Sequence, residues 1–296
     1  MRNLVGLTRL IIVVSLLLYS SLLTSTLETP VAGLSSEETR LNRDYKSWEE
    51  LKSSLHRDFK HYPIRENIVI DGLEWDIVVP DNYSSIQEAI NHAEIGYRIY
   101  VRTGIYKENI VIDKDGIILH GENKETTIID GNNKNYTILL ESNYNNISGF
   151  TIKNGVTGLY LNTSSGNQIQ NNIITNNQQG ITLYRAHANN IENNQIKNNQ
   201  NGITIKYSTN VVVSSNIIQN TWSTKAYRGI RIYDSYNVTI TDSVVENCSY
   251  RGIIEESGSD WNVIIGVRAV DSPVNIDLSG ANTQCHLCYN GTSWIP

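Results

Sequence analysis

The feature that most constrains this chain is an internal repeat. TGLYLNTS (Thr157 to Ser164), QGITLYRA (Gln179 to Ala186), NGITIKYS (Asn201 to Ser208), RGIRIYDS (Arg228 to Ser235) and RGIIEESG (Arg251 to Gly258) align without gaps. Their glycines, Gly158, Gly180, Gly202, Gly229 and Gly252, are spaced by 22, 22, 27 and 23 residues. A second column, Asn154, Asn176, Asn198, Asn220 and Asn247, keeps 18 residues from each glycine to the next asparagine. All length variation therefore falls between Asn and Gly, so each unit has a fixed segment and one adjustable turn. A third column, Ile152, Ile174, Ile196, Ile218 and Val245, precedes each asparagine by two.

Within each unit apolar residues alternate, as in Ile181 and Leu183 or Ile203 and Ile205. Alternation means strand rather than helix. Strands this short bury their inner face only by stacking equivalent rungs about 4.8 Å apart. Asparagine tolerates left-handed turns, and its amide can bond to the asparagine of the next rung. A leucine-rich horseshoe has a similar period but a helix-compatible half, which is lacking here. The prediction is an all-β, single-stranded right-handed parallel β-helix over residues 68–296, with three short strands per coil of about 22 residues.

The N-terminus reads as an export signal over residues 1–27. Arg2 and Arg9 flank the apolar run Leu10 to Leu23, which is short of the roughly 20 residues a membrane span needs. The mature chain is expected outside the cytoplasm, touching a membrane only if that segment is retained. Residues 28–67 are charged and helix-compatible, an N-terminal extension. With a net charge of −6 and a pI near 5.5 there is no basic field to gather nucleic acid. Three cysteines are too few for a disulfide-built fold.

Ahead of the repeats, residues 83–93 (YSSIQEAINHA) form a short amphipathic helix, followed by IYVRTGIYKENI from Ile99 to Ile110. The helix caps the open end of the first coil. With the repeat columns, these segments resemble the right-handed parallel β-helix proteins of the pectin-lyase-like superfamily. The closest subgroup is similar to the carbohydrate-binding and sugar-hydrolase set that includes NosD-type periplasmic proteins. The resemblance implies the solenoid fold and a polysaccharide partner. It also implies copper handling in the manner of NosD, but Met1 is the only methionine and the six histidines are scattered.

The repeat places charges on faces. Residues one and three after each glycine point inward, and those two and four after it point outward. One face of the later coils gathers Arg185, Lys206, Tyr207, Arg228, Arg231, Tyr233, Asp234, Arg251 and Glu256. Cations beside aromatic rings suit sugars carrying carboxylates. A solvated strand face with ordinary surface charges fits the same residues. Arg228 and Arg251 fall one rung apart and repel unless an acid bridges them. The turn from Asn220 to Gly229 is five residues longer than the standard turn, and its Trp222 and Tyr227 can form a groove wall.

Glu255 falls in the inward column of Leu161, Leu183, Ile205 and Ile232, with Leu278 on its other side. An inward carboxylate there would have a raised pKa and could serve as a general acid. The expectation is a local bulge that turns it outward. Asp234 is a second acidic candidate for catalysis. No catalytic motif of the superfamily's esterases, lyases or epimerases carries over. Asp234, Asp242, Asp260, Asp271 and Asp277 do not form a cluster at rung spacing, so calcium is not indicated and no cofactor or metal is assigned. Cys285, Cys288 and Cys248 fit a zinc site less well than a disulfide or thiols. Seven Asn-x-Ser/Thr sequons, at Asn82, Asn135, Asn146, Asn162, Asn237, Asn247 and Asn290, allow glycosylation.

The expected function is that of a secreted or surface-held monomer that binds extended acidic polysaccharide, with processing of that polymer as an extension of the same reading. Its alternatives are a non-catalytic adhesive surface protein and an accessory factor in the NosD manner.

Overall fold

A computed structural model of the protein describes residues 68–219, 227–256 and 258–295. The expected export signal (1–27), the extension (28–67), Asn220 and Trp222 lie outside the described residues. The described chain is an all-β, right-handed parallel solenoid of three sheets with coils of about 22 residues. One coil shows the plan. Strand Gln168–Gln170 lies in the first sheet, Ile173–Thr175 in the second and Gln179–Tyr184 in the third. Each pairs in parallel with its equivalent one coil on, in strands Asn190–Glu192, Gln195–Lys197 and Asn201–Lys206.

The registers carry the sequence columns directly into the core. Ile152, Ile174, Ile196, Ile218 and Val245 pair in line and are wholly buried. On the third sheet Leu161, Leu183, Ile205 and Ile232 do the same. Burying each such side chain favours folding by about 1.5–3 kcal/mol. The glycine column is steric. A Cβ on Gly202 would sit 2.5 Å from the Gly229 carbonyl oxygen and 2.6 Å from Ile218 Cγ2.

The corners are built by asparagine pairs. Asn154, Asn176 and Asn198 adopt the left-handed backbone expected of this column, with φ of 58°, 58° and 57°. The residue after each carries a backbone bond from rung to rung. Gly155 N–H donates to Asn177 Oδ1 (2.8 Å), and Asn177 N–H to Asn199 Oδ1 (2.9 Å). The corner between the first and second sheets repeats the device. Asn171 and Asn193 are left-handed, while Asn172 N–H donates to Asn194 Oδ1 and Asn194 N–H to Asn216 Oδ1, both at 3.0 Å. Buried corner amides thus find partners that no strand supplies.

Helix α1 (Ile86–His92) caps the first coil, burying Ile86, Ala89 and Ile90, with Ser85 as its N-cap. The next coil holds both its ends. Glu108 accepts from the Ile86 and Gln87 N–H groups, and Lys114 Nζ donates to the carbonyls of Ile90, Asn91 and Ala93. These charges oppose the helix dipole. A hairpin ahead of the helix was not anticipated. Ile68–Ile70 pairs antiparallel with Leu73–Trp75 around Asp71 (φ 51°) and Gly72 (φ 77°), a tight two-residue turn. It lays Trp75 on the outer face of the first sheet against Val78 and Tyr100. Trp75 also stacks on His120 with ring centroids 5.5 Å apart, and burial lowers the His120 pKa.

Candidate functional site

The outward rows of the third sheet fall where the repeat puts them. Tyr160, Thr182, Thr204, Arg231, Ile254 and Asp277 pair in line, as do Asn162, Tyr184, Lys206 and Tyr233. Arg185, Tyr207 and Asp234 follow at the corner that ends each strand, all with left-handed φ. Tyr207 sits edge-on between Tyr184 (5.6 Å) and Tyr233 (5.7 Å), making an aromatic ladder across three coils. Lys206 Nζ lies 5.0 Å from the Tyr207 ring centre and 5.2 Å from that of Tyr233. Arg185 and Arg231 each place a guanidinium 5.4 Å from a ring, Tyr184 and Tyr233 respectively. The neighbouring Asp234 carboxylate, and then the Tyr207 phenol, push the Tyr233 hydroxyl above its ordinary value.

The arginines further along are compensated internally. Arg231 Nε donates to Glu256 Oε2 at 2.9 Å, and Arg228 approaches Glu256 Oε1 at 3.8 Å. Arg251 pairs with Asp277 at 2.8 Å. Arg228 and Arg251 do stack one rung apart, and the Tyr250 ring receives both, at 5.2 and 4.2 Å. Two acids and a ring thus relieve the like-charge contact. Among the described residues Arg185 and Lys206 make no ion pair. The uncompensated positive charge of this face therefore sits with the tyrosine ladder, not with the Arg228 and Arg251 rungs.

Glu255 is a correction. No bulge forms: strand Arg251–Glu255 stays in register, with Glu255 opposite Ile232, and its side chain is inward and 2% exposed. Ser279 N–H (3.1 Å) and Gly280 N–H (2.8 Å) donate to its Oε2. Asn262 Nδ2 and Thr283 Oγ1, each at 2.6 Å, donate to its Oε1. These bonds offset the desolvation that burial imposes, and they turn the group away from the outer face. Asp234 lies against Gly258, whose missing side chain leaves it room.

A cavity of about 340 Å³ opens beside Tyr227 at the corner between the second and third sheets. Asn176, Gln178, Asn198, Gln200 and Val156 line it with Tyr227, and among the described residues none of its lining is charged. The expected wall residue Tyr227 is therefore at a groove, but one running along the entry edge of the third sheet rather than its charged face. The rest of the lining was missed. Its signal is the repeated triplet Asn-Asn-Gln at 176–178 and 198–200.

Cys285 and Cys288 form a disulfide, and Cys248 is buried elsewhere. Among the described residues no three His, Cys, Asp or Glu side chains come together in a way that could hold a metal ion. No described helix is long and apolar enough to cross a membrane.

Three parallel sheets, short coils and bonded corners define a right-handed parallel β-helix of the pectin-lyase-like kind. Residues 90–293 match the family described as periplasmic copper-binding protein (NosD), and the chain belongs to that family. The described donor set does not fit copper: it holds no methionine, and its thiols are either paired in a disulfide or buried. No curated protein matches the chain. Among solved structures, an alginate lyase from Paenibacillus sp. str. FPU-7 is 14% identical with a TM-score of 0.52, covering 69% of this chain and 93% of that one. The periplasmic alginate epimerase AlgG is 14% identical with a TM-score of 0.56, over 73% and 55% of the two chains. PfbA, a surface adhesin of Streptococcus pneumoniae, is 14% identical with a TM-score of 0.51, over 65% and 61%. At this identity the likeness is one of fold.

Proposed function

We propose that the protein is an exported β-helix that binds extended, acidic polysaccharide on the outer face of the third sheet. The observation that carries this reading is the ladder Tyr184, Tyr207 and Tyr233 with Lys206 and Arg185 against its rings. Sugar rings stack on tyrosine, and cations left without an internal acid pair with carboxylates. The three rings lie on three successive coils along the solenoid axis, so a polymer lying along it meets an aromatic ring at each of them. Two proteins sharing the fold are named for alginate, an acidic polysaccharide, and the family is described as periplasmic. Both accord with an exported glycan-binding protein.

Calorimetric titration with an alginate hexamer tests it. Lys206→Ala combined with Tyr207→Ala removes the centre of the ladder and should weaken binding at least tenfold. Binding should also fall as salt is raised, because exposed ion pairs are screened. The reading is refuted if the wild type ignores acidic oligomers of alginate and galacturonate, or if the double variant binds them equally well.

A further inference from the structure

The cavity beside Tyr227 has a chemistry opposite to that of the tyrosine ladder. Its walls come from successive coils at equivalent positions. Asn176 and Gln178 belong to one coil, Asn198 and Gln200 to the next, and Tyr227 to the one after. The spacing follows from the corner. The second asparagine of each triplet is held inside by the rung-to-rung bond from Asn177 N–H to Asn199 Oδ1. The residues on either side of it, Asn176 and Gln178, are thereby exposed. Among the described residues the side-chain amides of Asn176, Gln178 and Gln200 make no hydrogen bond, so their donors and acceptors face the cavity or water.

An amide offers two N–H donors and a carbonyl acceptor, which matches a sugar hydroxyl that both donates and accepts. A carboxylate entering this cavity would lose hydration and meet no cation among the described residues that line it. A purely apolar ligand would strip the amides of water without replacing their bonds. We infer that this groove is a second saccharide site, taking neutral, hydroxyl-rich sugar units, with Gln178 and Gln200 as the hydrogen-bonding pair and Tyr227 as the stacking wall. It stands on different residues from the acidic-glycan face, and either site can exist without the other.

The test uses the full chain and neutral hexaoses of glucose, mannose and xylose, with the alginate hexamer as the acidic probe. Gln178→Ala combined with Gln200→Ala is the groove variant; both positions are outside the core, and an unchanged melting temperature verifies its fold. At least one neutral hexaose should bind the wild type, lose tenfold or more in affinity with the groove variant, and be unaffected by Lys206→Ala with Tyr207→Ala. Alginate binding should show the reverse pattern. Neutral binding that survives in the groove variant overturns the inference. So does failure of all three neutral hexaoses to bind at millimolar concentration, even if alginate binds normally. Neutral binding lost in the groove variant while alginate fails to bind would uphold this site and refute the acidic-glycan reading alone.

Discussion

Glu255 replaces an aliphatic residue in a column that is otherwise Leu161, Leu183, Ile205 and Ile232, and the fold accepts it because four donors reach it from later residues. Two of them are backbone N–H groups, which cannot turn into acceptors. With its carbonyl kept on those two, Glu255→Gln would set its NH2 against the Asn262 Nδ2 donor, which cannot flip without leaving the Val238 N–H unpaired. The expected loss is about 1–3 kcal/mol, read as a lower urea midpoint with unchanged slope. An unchanged midpoint would mean that the turn at 279–283 finds other acceptors. The inward direction of Glu255 was legible from alternation alone. Its partners were not, because they lie more than 20 residues on for the most part, where the repeat loses phase. Arg228 and Arg251 were similar. Their stacking followed from the repeat, whereas the Tyr250 ring between them and the pairing of Glu256 and Asp277 needed side-chain geometry.

At the level of the strand and corner, one pattern supplies two functions. In Asn171-Asn172, Asn176-Asn177, Asn193-Asn194 and Asn198-Asn199 the first residue takes left-handed backbone and the second is buried; Asn172, Asn177 and Asn194 donate to the next rung, and Asn199 bonds the one before it. Periodicity located these corners but credited both roles to one column. Spacing reports where a turn is, not which of two identical side chains faces in. The glycines were legible as a column, and their reason is close backbone approach at the start of each third-sheet strand. Gly202→Ala would force its Cβ into the Gly229 carbonyl and Ile218. An overpacked site of this kind costs about 1–3 kcal/mol, and a lower melting temperature should report it. A change within error would show that neighbouring coils separate to make room.

For the molecule as a whole, the design is additive: each coil meets only its neighbours. Duplicating residues 179–200 in tandem adds one 22-residue coil whose columns continue those on either side. The enlarged protein should fold, with a β-type circular dichroism spectrum and a single cooperative melt. The same insertion shortened by one strand residue reverses inside and outside for part of that coil, and should be insoluble or melt without cooperativity. If both behave alike, the columns do not govern the fold. The solenoid itself was legible because one physical rule recurs coil after coil. The groove was not, since it depends on how side chains at the corners of different coils align. The corner bonds also have a direction. Asn172 N–H is satisfied by Asn194, and Asn194 N–H by Asn216, so each donor waits for a side chain that comes later in the chain. A polypeptide emerging N-terminus first, whether from a ribosome or a translocation pore, therefore always carries one incomplete rung at its growing end, and each new rung seals the one made before it.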